Sequence, residues 1–276
     1  MTSLALPAAA VALRRGVLAE LLDRQRTLTL YAAALLIVAI PVAALQAIDP
    51  RTLSAVSVWV KPAKFLVSVA IFAATAAWFF GYVRAERRRS RLMRGIVAAL
   101  IVAATLELAY IGWQAAHGQA SHFNTGTIFH AVMYGVMGLL AVIMVGTCLP
   151  LAWEIARRPA PGLTGDFVAA VATGLVLTVL LGGGLGGYMS AQPGHSVGAQ
   201  GASVALFGWN RAGGDLRIAH FLGIHAQQAI PLIAACAVAL PSRQRWAVLA
   251  AGTGVYVALT LAIFAQAIAG RPPLPL

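Results

Sequence analysis

The stretch GGDLRIAHFLGIHAQQAIPL, residues 213–232, carries Asp215, Arg217, His220, His225, Gln227 and Gln228 into a run otherwise suited to lipid. Imidazoles can ligate haem iron or a metal and can relay protons. Arginine pairs with carboxylate, phosphate or a haem propionate. On a continuous helix, at about 100° per residue, Arg217, Phe221, Ile224 and Gln228 form one stripe flanked by His220 and Gln227. His225 then lies about 140° around from His220, so the two do not chelate one metal as an i,i+4 pair would. Gly223 permits close approach by a helix or a flat ligand, and Pro231 frees the carbonyl of Gln227. The plainer reading makes Asp215 a helix N-cap and leaves Arg217 and His220 among the lipid headgroups.

Glu107 is the sharpest single signal outside that stretch. It sits in the middle of LIVAATLELAYIGWQAA, where a carboxylate costs several kcal/mol unless it is paired or protonated. Tyr110, Gln114 and His117 follow at i+3, i+7 and i+10 and share its face. The plainer reading is a structural hydrogen bond to a neighbouring helix. Lys61 and Lys64 are the only lysines. Both lie near a helix N-terminus, where positive charge opposes the dipole. Lys61 reads as snorkelling to the headgroups, and Lys64, which is deeper, as paired with an anion such as Glu107, Asp215 or a substrate. His122 and Asn124 precede a further helix, with Thr125 and Thr127 as caps, and His130 lies one or two turns inside it.

Positioning these groups requires a membrane bundle. Hydrophobic residues make up 60% of the 276 and charged residues 10%, and mean hydropathy is +0.83, far from a soluble composition. Seven segments are long enough to span, at about 28–48, 56–83, 95–116, 126–152, 167–190, 216–240 and 245–269. Pro62 marks a break or the first turn of the second, while Pro41 and Pro231 are expected to kink the first and sixth. Residues 1–27 form a cytoplasmic N-terminal segment, of which 11–26 read as an amphipathic surface helix, and 28–276 form a single seven-helix domain.

The net charge of +12 comes mostly from arginines in short runs between apolar segments, which argues against a nucleic-acid binder. With the N-terminus inside, fourteen of the twenty Lys and Arg fall on the cytoplasmic side and six outside. The positive-inside rule therefore gives a cytoplasmic N-terminus and an outer C-terminus. All six histidines then lie in the outer half or in outer loops. The long outer connection at about 190–215 reads as a cap, with His195, Trp209 and Asn210 as its candidate contacts. Cys148 and Cys236 read as small apolar fillers rather than a disulfide.

The run LGGGLGGYM, 181–189, matches G-x-G-x-x-G at Gly182, Gly184 and Gly187. No strand precedes it, so the match carries no dinucleotide site. Its two G-x-x-x-G spacings point to close helix packing, with room for a flat cofactor as the alternative. There is no P-loop, no H-E-x-x-H, no set of histidine pairs of the desaturase kind, and no lysine in the last helix to hold retinal.

PAKF (62–65), Glu107 with SHFN (121–124), and GDLR-x-x-HF-x-G-x-H (214–225) together resemble a family of bacterial polytopic integral membrane proteins to which no activity is attached. The resemblance spans helices two to six. It implies that these residues form a common site in a multi-pass protein of the bacterial inner membrane.

Three chemistries fit the residues. The leading one is a membrane redox protein holding haem b or a quinone. His130 with His220 or His225 would act as axial ligands, Gln228 would lie beside them, and Arg217 or Lys64 would offset propionate charge. The second is a membrane-embedded enzyme in which His122, His220 and His225, with Glu107 or Asp215, bind zinc or iron and activate water. The third is a proton-linked transporter or sensor, with Lys64 and Arg217 receiving an anion. The apolar inner halves favour a one-sided site for a small molecule, quinone or lipid in which Glu107, Lys64, Asp215 and Arg217 carry the chemistry.

Overall fold

The computed structural model describes residues 16–53, 56–204 and 207–272. The chain is all-α. Among the described residues six helices are long and apolar enough to cross a membrane, and a bent pair makes a seventh if counted as one span. The described residues form two compact units: the chain up to Met144 with Arg157–Leu163, and Val145–Ala156 with the chain from Thr164.

In the first unit, α1 (Val17–Ile48) contains one residue with non-helical geometry, Gln25 (φ −155°, ψ 91°). Its side-chain oxygen accepts a hydrogen bond from Leu28 N at 3.2 Å, as an N-cap would. The apolar helix thus restarts after Gln25. The non-helical step falls here rather than at Pro41, which lies within the helix. Of the expected surface helix at 11–26, residues 11–15 lie outside the described residues, and the helical part begins at Val17.

A two-stranded hairpin, β1 (Thr52–Leu53) with β2 (Val56–Ser57), leads into α2 (Val60–Phe80). The expected second span therefore starts four residues later than its apolar composition suggested. Asp49 anchors the connection, accepting from Trp59 Nε1 at 2.7 Å and pairing with Arg51. Pro62 sits in the first turn of α2, where its missing N–H costs no helical bond. A 3₁₀ turn (Ala85–Arg87) leads to α3 (Arg91–Ala116), capped by Ser90, whose hydroxyl accepts from Met93 N. Next comes α4 (Ile128–Gly146).

In the second unit, α5 (Cys148–Arg157) ends the candidate span that begins at Ile128. α6 (Gly165–Leu177) continues through a π turn (Thr178–Gly183) into α7 (Gly184–Ser190). The connection after it is tied down by β3 (Ser196–Val197), antiparallel to β4 (Gly214–Asp215). Then come α8 (Leu216–Ile224), α9 (Ala226–Cys236) and α10 (Ser242–Ile268). Arg245 at the start of α10 pairs with Asp166 at the start of α6 at 2.9 Å.

The sixth expected span is not one continuous helix: α8 and α9 meet at 55°. The break is at His225 (φ −87°, ψ 4°), six residues before Pro231. It is stabilised by the neighbouring helix. Thr178 Oγ1 accepts from Gln227 N at 2.9 Å and itself donates to the Gly174 carbonyl. A buried N–H freed by a break needs such a partner. The stripe from Arg217 to Gln228 is therefore interrupted between Ile224 and Gln228.

Candidate functional site

In the first unit α3 turns Glu107, Tyr110 and Gln114 inward, and all three are buried. His117 departs from that face. As the C-cap it is exposed, stacks on Trp113 and bonds the Trp113 carbonyl. The loop after α3 returns His122 to the buried face, with its Nε2 3.9 Å from Glu107 Oε1. Gln114 and Asn124 hold this loop by donating to the Ala120 carbonyl at 3.1 and 3.0 Å. Phe123 adopts φ 56°, a left-handed conformation that costs about 1–3 kcal/mol in a non-glycine residue. Packing of its ring against Tyr134 (centroids 5.5 Å apart) offsets that cost.

His122 lies between the rings of Phe65 and Tyr134, and Ser121 Oγ is 3.2 Å from its Nδ1. Burial first, and the charge of Lys61 second, push its imidazolium down to about 3, with the Ser121 contact partly offsetting them. His122 is therefore neutral at ordinary pH, and its contact with Glu107 is not a permanent ion pair. Lys61 is the lysine whose charge acts on both Glu107 and His122, with Nζ 5.6 Å from the Phe65 ring. Lys64 is half-buried one turn further along α2. The Tyr110 hydroxyl is buried with no hydrogen-bond partner among the described residues. An unpaired buried hydroxyl is uncommon and costs roughly 1–3 kcal/mol. His130, in the first turn of α4, lies within hydrogen-bonding distance of Thr127 Oγ1 at 3.0 Å and packs on Phe129.

No family model, no curated protein and no solved structure matches the chain. The chemistry has to be read from the residues themselves.

In the second unit Asp215 is the N-cap of α8, accepting from Arg217 N at 3.0 Å. Its fully buried carboxylate also takes both ends of the Arg217 guanidinium, at 2.9 and 2.5 Å, and the Asn210 backbone N–H at 2.8 Å. Asn210 in turn donates to the Ala199 carbonyl, and Arg217 Nη2 donates to the Gly208 carbonyl. Asp215 thus knots Asn210 of the connection to Arg217 at the start of α8. His195 reaches the same knot through its carbonyl, which accepts from Leu216 N. Above it Phe207 stacks on Trp209 (centroids 4.4 Å apart), and both meet Phe221 edge-on.

His220 and His225 face different surroundings. His220 Nδ1 is 2.9 Å from the Gly182 carbonyl, so this nitrogen carries the proton and Nε2 the lone pair. A side chain at Gly186 would overlap its ring. His225 packs on Phe221 and shares a side-chain hydrogen bond with Gln228. Gln227 is fully buried, and its Oε1 has no partner among the described residues. The glycine-rich run is close helix packing, and it begins earlier than LGGGLGGYM. Gly174, Thr178, Gly182 and Gly186 recur at i+4 and receive, in turn, Ala226–Gln227, the Gln227 N–H, Gly223–Ile224 and His220. An i+4 row drifts by about 40° per step on an α-helix. The wider π turn at 178–183 takes back part of that drift.

Among the described residues no three His, Cys, Asp or Glu side chains gather closely enough to hold a metal ion. The Gly174–Thr178 start of the small-residue row was missed from sequence, where its signal was spacing alone, Gly174 standing eight residues before Gly182.

Proposed function

We propose that this is a multi-pass membrane protein whose Glu107–His122 cluster binds the headgroup of a lipid-soluble, hydrogen-bonding molecule, a quinone by class, and exchanges a proton with it. One observation carries the reading. Glu107 Oε1 and His122 Nε2 stand 3.9 Å apart, and Tyr110, three residues after Glu107 on the same buried helix face, has a hydroxyl without a hydrogen-bond partner among the described residues. One ligand oxygen placed between them would stand about 2.8 Å from both atoms, a normal hydrogen-bond length. Tyr110 would donate to a carbonyl, Glu107 would give or take the proton, and neutral His122 would accept from a hydroxyl. Phe65, Phe123 and Tyr134 supply aromatic walls for a flat ring. As part of the same proposal the N-terminus is cytoplasmic, the chain spans a bacterial inner membrane seven times, and the site opens outward. The PAKF and SHFN motifs of the resembled family both fall on this cluster.

A second reading rests on His220. A histidine whose Nδ1–H is fixed by a backbone carbonyl presents Nε2 in the manner of a haem or metal ligand. That favours His220 over His130 as the protein's contribution to a haem b, zinc or iron site.

The two readings separate in one experiment. Purified protein stripped of lipid is titrated with a short-chain quinone, and its visible spectrum and metal content are recorded. The quinone reading expects saturable one-to-one binding, weakened about tenfold or more in Glu107→Gln and in Tyr110→Phe, since each tenfold is about 1.4 kcal/mol. Unchanged affinity in the double variant would overturn it. A Soret band lost in His220→Ala would move the assignment to haem.

A further inference from the structure

At the opposite end of α3 from Glu107 the first unit has a cavity of about 290 Å³ lined by Gln25, Thr27, Arg88, Arg94 and an apolar wall on α3. The wall is Val97, Ala98, Ile101 and Val102. None of the lining residues is acidic. With Arg94 they form a stripe at i, i+3, i+4, i+7 and i+8, so guanidinium leads directly into hydrocarbon along about 12 Å of helix. Ala98 and Val102 are exposed along it.

The non-helical step at Gln25 opens the head of this cavity, because α1 changes course where it passes α3. Gln25 and Thr27 add neutral polar groups beside the two arginines. Arg88 is fixed in place, with Nε donating to the Val83 carbonyl at 2.9 Å and Nη2 to the Gly81 carbonyl at 2.8 Å. Burial, and then the like charge of Arg24, hold its guanidinium below the usual arginine range, and Asp23 and Glu20 offset part of this. Arg24 is itself engaged with Glu20 and the Trp78 ring, so it does not line the cavity.

We propose that this cavity is a binding site for an anionic phospholipid, with the phosphate between Arg88 and Arg94 and an acyl chain lying along Ala98, Ile101 and Val102. Two arginines with no acidic neighbour in the lining select an anion, and guanidinium suits phosphate. The volume is at the lower limit of small-molecule sites, so it takes a glycerophosphate headgroup and leaves most of the chain against the exposed helix face. A free phosphate would use the same arginines but not the wall. This end bears six arginines between Arg84 and Arg94, as expected where anionic headgroups concentrate.

The test is native mass spectrometry of the full chain in detergent, with phosphatidylglycerol and phosphatidylcholine as probes and inorganic phosphate as competitor. The proposal expects one phosphatidylglycerol retained under conditions that strip phosphatidylcholine. Retention should fall about tenfold in Arg94→Gln, which removes one charge-assisted contact, and comparably in Ala98→Trp, which fills the wall. Arg94 and Ala98 are both exposed, so neither variant threatens the fold. Arg91→Gln, outside the lining, should change retention less than twofold. Equal loss in Arg91→Gln and Arg94→Gln would overturn the proposal in favour of general attraction to a basic surface. Displacement by millimolar phosphate with no effect of Ala98→Trp would overturn the lipid as occupant.

Discussion

Glu107 and His122 meet across 3.9 Å in the first unit, one on a membrane helix and the other on the loop that follows it. Burial of His122, with the charge of Lys61 as the second cause, makes it a pH-dependent element of stability. Its folded value, pushed down to about 3, lies below the roughly 6.5 of an unfolded histidine. Between those values the unfolded chain binds more protons, so stability rises with pH there. The contribution is fully present above about 6.5 and is lost as pH falls toward 3. His122→Phe retains an aromatic ring between Phe65 and Tyr134 but does not titrate. The wild-type melting temperature should fall more steeply than that of His122→Phe between about pH 6.5 and 4. Parallel curves would remove His122 from the account.

Replacing Glu107 separates packing from proton chemistry. Glu107→Gln keeps the shape and the hydrogen-bonding capacity, so it should fold and melt within about 1 kcal/mol of wild type. Quinone affinity should nevertheless fall about tenfold, because the exchangeable proton is gone. Glu107→Leu removes a buried polar group from the membrane and should be at least as stable as Glu107→Gln. Thermal melts alongside quinone titration read both effects. A Glu107→Leu variant that does not fold would show that the carboxyl holds the helices together.

The spans were legible because apolar composition over twenty residues leaves few alternatives in lipid, and Glu107 stood out because a carboxylate there demands a reason. The N-cap role of Asp215 was also readable, since an aspartate just before an apolar run is a common helix start. What composition could not carry was tertiary capping. The break at His225 depends on Thr178, which is 49 residues from the Gln227 N–H it receives, and a strict helical wheel had run straight through it. Pro231 and Pro41 drew attention because proline is the local breaker, yet α9 and α1 both run through their prolines. His117 shared the Glu107 face only while the helix continued, and α3 ends at Ala116.

Asp215 should be the most sensitive residue of the cap. Asp215→Ala leaves the Asn210 N–H without its acceptor and the Arg217 guanidinium with only the Gly208 carbonyl. Removing one partner of a buried ion pair costs about 3–5 kcal/mol. The 191–213 connection should become susceptible to protease while the spanning helices stay intact. Asp215→Asn retains part of the acceptor geometry and should be cut more slowly than Asp215→Ala. A cap equally resistant in wild type and Asp215→Ala would show that β3–β4 pairing alone holds it.

Whether α8 and α9 cross the membrane or return to the same side fixes the topology of everything after them. If the pair is one bent span and the N-terminus is inside, the Pro241–Arg245 turn is cytoplasmic, in keeping with Arg243 and Arg245. Gln244 is exposed there. In a Cys236→Ser background, Gln244→Cys should resist a membrane-impermeant maleimide in intact spheroplasts and react after lysis. Labelling in intact spheroplasts would make the pair re-entrant and reduce the count to six spans.

The sharpest structural prediction contrasts glycines a residue or two apart. A Cβ on Gly182 would lie 2.8 Å from the backbone N of Ile224, and one on Gly223 would lie 2.7 Å from Gly182 Cα. Backbone cannot swing aside as a flexible side chain can, so the helices must separate. Gly182→Ala and Gly223→Ala should each cost about 1–3 kcal/mol by overpacking, and the double variant should cost less than their sum because the two share one contact. A Cβ on Gly183 or Gly184 would meet nothing within 4 Å. Alanine there should be neutral or should stabilise by about 0.5–1 kcal/mol, the ordinary gain over glycine within a helix. Thermal melts of the four single variants in one detergent decide the matter. If Gly182→Ala melts with Gly183→Ala, the helices are not in contact at Gly182–Gly223, and the break at His225 loses the support that Thr178 gives it.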